Sequence, residues 1–100
     1  MKTFTVTHIT ELKNAVVDFL KDENVRVFLF GSRARGDGAV ASDVDIGVVP
    51  GEGFRREKLT LLREFIENIN VPYKVEIVDF SEVSEQFRRE ALKDTVSWKE

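Results

Sequence analysis

The sequence predicts an α/β (α+β) domain, a small mixed β-sheet covered by helices. Three observations predict it. Two long runs carry apolar residues at helical spacing, three short β-branched runs alternate or are continuously apolar, and one of the helical runs joins two of the strands. A chain of 100 residues has room for one hydrophobic core, so residues 1–100 are read as a single domain.

Along the chain, Ile9, Leu12, Val16, Phe19 and Leu20 recur at helical spacing, which predicts a first helix over Thr10 to Asp22 with Thr7 or Thr10 as its cap. VRVFLF, residues 25–30, is a buried strand that ends at Gly31. SRARG, residues 32–36, has room for one helical turn, and GDGAVAS reads as loop. In DVDIGVV, residues 43–49, Val44, Ile46 and Val48 take one face of a half-buried strand, and Asp43, Asp45 and Gly47 take the other. Leu59, Leu62, Phe65, Ile66 and Ile69 predict a second long helix from about Arg55 to Asn68, stopped by Pro72. A third strand follows over Lys74 to Asp79. Ser81 or Ser84 caps a last helix containing Val83, Phe87 and Ala91, and TVSWKE is a short edge strand or coil. The helix between the second and third strands calls for a parallel pair, while the shorter loop between the first and second permits an antiparallel one.

Composition narrows the function. No window has the ~18 to 20 consecutive apolar residues of a membrane span, and MKTFTVTHIT does not read as a signal peptide. With no cysteine, disulfides and thiolate metal sites are excluded, and a cytoplasmic location is expected. A net charge of −3 argues against strong direct nucleic-acid binding. Setting aside Asp43, Asp45 and Glu76 leaves the remainder neutral, so the acidic excess is local.

Aspartates two apart on a strand have Cα atoms ~6.6 Å apart and share a face. Left bare at ~5 Å, their charges repel by ~3 kcal/mol at an effective dielectric of ~20, which a hard divalent cation reverses. Magnesium suits such a pair because it retains waters and borrows oxygens from a substrate phosphate. The cradle for that phosphate is Gly31 and Ser32, where backbone N–H groups and a hydroxyl can approach, with Arg33 or Arg35 supplying charge. Ser42, closing the loop, is counted with these nucleotide-binding residues. Asp37 stands where a Walker A motif needs lysine, and no GxGxxG occurs. Glu76 alternates with Val75 and Ile77, so it can share the aspartates' face as a third metal ligand or a proton acceptor. It can equally pair with Lys74 on its own face. Asp79 should point the other way. His8 lacks companion ligands, Tyr73 and Trp98 read as packing residues, and Arg55, Arg56 and Lys58 read as a solvated helical turn.

GSRARG, then SDVDIGVV, then VEIVD resembles the minimal nucleotidyltransferases of the DNA polymerase β-like superfamily, and the likeness runs through nearly the whole chain. The resemblance implies a polymerase β palm-like core in which Gly31 and Ser32 hold a nucleoside triphosphate and Asp43, Asp45 and Glu76 serve catalysis and bind two Mg²⁺ ions. It implies attack by an acceptor hydroxyl on the α-phosphate, with release of pyrophosphate. Where the family commonly has aspartate, this chain has Glu76, a methylene longer. Relatives of this size resemble the antitoxin half of toxin and antitoxin pairs whose other half is a helical HEPN ribonuclease, and some add AMP to that toxin. The alternative function is therefore an antitoxin-like subunit, weak or inactive in catalysis, that neutralises its partner by binding it.

Overall fold

The computed structural model describes residues 8–36 and 43–100, so Thr7 and Ser42 lie outside the described residues. In chain order the elements are α1 (Ile9–Phe19), β1 (Val25–Phe30), α2 (Ser32–Arg35), β2 (Val44–Pro50), α3 (Glu57–Glu67), β3 (Val75–Asp79), α4 (Glu85–Ala91) and β4 (Thr95–Lys99). The strands form one sheet in the order β3-β2-β1-β4. β1 runs antiparallel to both β2 and β4, and β2 runs parallel to β3. The mixed sheet expected from the connections is therefore present, and the tail is its edge strand.

The two sheet faces bury different chemistry. On one, Val25, Val27, Leu29, Val44, Ile46, Val48, Ile77 and Trp98 pack against Leu12 and Val16 of α1 and Leu59, Leu62 and Ile66 of α3. These are the positions that helical and strand periodicity selected. The other face is aromatic: Phe28, Phe30 and Phe80 cluster there, with Val49, Val78 and Ala91 packed around them. The Phe80 ring meets Phe28 and Phe30 edge-on at centroid distances of 4.9 and 5.1 Å, and Phe87 of α4 closes over Phe30 at 6.1 Å.

Gly47 is the position where this second layer touches the backbone. A Cβ there would collide with the Phe28 ring and come within 2.8 Å of Phe80 Cε1. Gly47→Ala should lower stability by about 1–3 kcal/mol, the usual range for overpacking, as a shift in the denaturant midpoint.

Two local features differ from expectation, the α1 cap and the role of Arg56, while the α4 cap is one of the two serines expected. The cap of α1 is His8, whose Nδ1 accepts from the Thr10 N–H at 3.2 Å, because an imidazole acceptor two residues before the orphan donor does the work of a hydroxyl. For α4 the cap is Ser84, accepting from Phe87 N–H at 3.1 Å, while the Ser81 hydroxyl donates to Asp79 Oδ1 at 2.6 Å. Arg56 is a clamp as well as a surface charge: it reaches across to Glu82 Oε2 at 2.9 Å and Asp79 Oδ2 at 3.6 Å. Asp79 is buried on the face opposite Glu76 and ends β3, accepting also from the Ser81 N–H at 2.9 Å. No helix among the described residues is long and apolar enough to cross a membrane.

Candidate active site

The register puts one row of residues across the sheet. Thr95, Phe30, Asp45 and Glu76 are successive partners on β4, β1, β2 and β3. Asp45 and Glu76 are thus immediate neighbours on parallel strands, sharing the aromatic face, with Phe30 on the far side of Asp45. Asp43 lies two residues before Asp45, exposed immediately ahead of β2.

Gly31 follows Phe30 and turns the chain into α2. Its φ of 81° and ψ of −158° belong to a region that only glycine occupies comfortably. The missing side chain matters as much as the backbone angle, because a Cβ at Gly31 would lie 2.5 Å from Asp45 Oδ2. The turn and the carboxylate are therefore packed directly together. Ser32 is the first residue of α2, whose leading N–H groups lack intrahelical acceptors by helix geometry. Arg35, Phe30 and Gly31 line a cleft of about 200 Å³ with Phe87, Glu90, Ala91 and Asp94. The Arg33 guanidinium lies 4.7 Å from the centroid of the Tyr73 ring.

Burial raises the Asp45 pKa above its ordinary value, and the negative charges of Asp43 and then Glu76 raise it further, with Lys74 opposing them. Both neighbouring charges thus act on Asp45 in the same direction as burial. Glu76 forms the pair with Lys74 that its strand position allows, Nζ to Oε1 at 3.7 Å. As the side chains stand, no three acidic or histidine residues among the described ones are gathered closely enough to hold a metal ion. The donor set nevertheless fits a hard cation. It is all oxygen, it concentrates like charge around a half-buried carboxylate, and a divalent ion would relieve that repulsion.

A family model described as "Polymerase beta, Nucleotidyltransferase" matches residues 13–97. The chain belongs to this nucleotidyltransferase family. Among curated relatives it is 28% identical over 91 residues to a "Probable protein adenylyltransferase MntA" of Haemophilus influenzae, covering 88% of this chain and 80% of that one. Among solved structures it is similar to one described as a minimal nucleotidyltransferase, with a TM-score of 0.70 and 25% identity over 88% of this chain and 90% of the other. A toxin-antitoxin structure with AMP-PNP shares the fold at a TM-score of 0.60 and 20% identity, covering 86% of this chain and 71% of that one.

At the candidate site, alternation was enough to place Asp45 and Glu76 on one face. It could not reveal the aromatic cluster on that face, nor Asp94 and Glu90 at the cleft beside Gly31. The run of phenylalanines at 28, 30, 80 and 87 was the available signal, since the first two share a face by spacing alone.

Proposed function

We propose that the protein transfers AMP from ATP, with Mg²⁺, to a hydroxyl on a helical, HEPN-type toxin partner in the cytoplasm. The observation that carries this reading is the packing of Asp45 against the Gly31 turn with Glu76 as its strand neighbour. Membership of the family and the likeness to an adenylyltransferase support the same chemistry.

In this mechanism Gly31 and Ser32 bind the β- and γ-phosphates through backbone N–H groups and the serine hydroxyl, and Arg35 adds charge from the cleft. Asp43, Asp45 and Glu76 would hold Mg²⁺, which supplies positive charge at the attacking and leaving oxygens when bound. Glu76, half-exposed on the edge strand β3, would take the proton of the incoming hydroxyl. The acceptor oxygen forms a bond to the α-phosphorus as the bond to the bridging oxygen breaks, and pyrophosphate leaves.

A second reading has its own observation. Phe87 and Leu92 are 42% and 44% exposed, apolar area that a partner could cover without any chemistry. Incubating protein and partner with Mg²⁺ and ATP, followed by intact-mass measurement, separates the two readings. Transfer predicts a gain of one AMP on the partner that vanishes in the Asp43→Asn, Asp45→Asn double variant. Neutralisation by binding predicts no gain, and a double variant that still binds and silences the partner.

A further inference from the structure

Lys74 is the residue whose position the proposed chemistry does not use. Its carbonyl accepts from the Val44 N–H at 2.8 Å, which fixes it at the open end of the β2–β3 pair, where the parallel register carries it beside Asp43. It precedes Glu76 by two residues and so projects from the same face. Its Nζ stands 3.7 Å from Glu76 Oε1, with the two side chains 68% and 50% exposed. That separation is an ion pair without a hydrogen bond, and exposed pairs of this kind are weak. Among the described residues Lys74 is also the cation whose field opposes Asp43 and Glu76 at Asp45.

We propose that Lys74 is a positioning residue that stands in for the divalent cation in the metal-free protein, holding Glu76 until an incoming ion displaces its ammonium. This rests on the reading that the three carboxylates bind metal. The choice of residue fits the task. A lysine has a flexible stem and a single point charge that leaves readily, whereas an arginine can fork across both carboxylate oxygens and keep Glu76 to itself. Displacement fits the side chains as they stand, with Glu76 paired to Lys74 and no acidic group gathered to hold an ion among the described residues.

The test is a titration of the metal-free protein with Mn²⁺ alone, reading free ion by electron paramagnetic resonance. Removing a single charge about 6 Å from a double one in water-like surroundings should tighten binding about tenfold, so Lys74→Met should bind Mn²⁺ about tenfold more tightly than wild type. Lys74→Arg, which keeps the charge, should bind no more tightly than wild type. The gap between the Met and Arg variants should narrow as salt is raised, which a purely structural effect would not do. Equal affinity in Lys74→Met and wild type, with Asp45→Asn binding poorly, would overturn the role of Lys74 and leave the metal reading standing. Failure of wild type to bind Mn²⁺, or binding undiminished in Asp45→Asn, would overturn both.

Discussion

Asp45→Asn should yield a protein that melts at a higher temperature than wild type in metal-free neutral buffer and transfers nucleotide at least about a hundredfold more slowly. The stability half follows from the raised pKa. Burial comes first among its causes, then the charges of Asp43 and Glu76. The folded protein therefore holds the Asp45 proton more tightly than the unfolded chain does. Stability from this group is fully present at pH below the unfolded carboxylate value and is lost as pH rises toward and through the raised folded value. At neutral pH the charged form is the destabilising one, and an amide of the same shape removes the repulsion. Thermal melts from acid to neutral pH should accordingly favour the variant most at neutral pH and least in acid. Added Mg²⁺ should raise the wild-type melting temperature and leave the variant nearly unmoved. The activity half follows from the proposed role of Asp45, because an amide would offer a metal ion a neutral carbonyl oxygen in place of a charged carboxylate, and misplacing a reacting group by about 1 Å costs on the order of a hundredfold. If like-charge repulsion at Asp45 is what a bound ion relieves, the two assays should respond with opposite signs.

Gly31→Ala should be strongly damaging, because two independent costs fall on one methyl group. The backbone angles alone are worth about 1–3 kcal/mol against any residue with a Cβ, and every kcal/mol lowers the melting temperature of a domain this size by about 4–8 °C. The added methyl also meets Asp45 Oδ2, so the carboxylate must move or the turn must open. A double-mutant cycle separates the two contributions. In an Asp45→Ala background the collision is gone and only the backbone term remains, so Gly31→Ala should be milder there than in wild type. Equal losses in both backgrounds would mean that the turn and the carboxylate are not in contact in solution.

Much of this arrangement was legible in the sequence because its cause is local. The alternation of Val44, Ile46 and Val48 with Asp43 and Asp45 depends only on strand geometry, and the parallel pairing of β2 with β3 follows from the helix between them. What remained illegible depends on residues far apart in the chain. β4 could be strand or coil from composition, because its partner is β1 and only the folded sheet supplies the missing hydrogen bonds. The Tyr73 ring beneath Arg33 could not be read from either segment alone, and Arg56 looked solvated until Asp79 and Glu82 arrived from the far end of β3. Helix ends moved by one to three residues from their expected positions for the usual reason that terminal turns fray or tighten.

The pairing of β1 with β4 has a kinetic consequence. Phe30 and Thr95 are separated by more than half the chain, so the strand that flanks the Asp45 row on its outer side forms only after a large loop has closed. A sheet with so much non-local contact folds slowly for its length, and until the last strand docks, the inner edge of β1 is an open template for other chains. During synthesis on the ribosome, the β1 edge is therefore left uncovered until Trp98 has emerged from the exit tunnel.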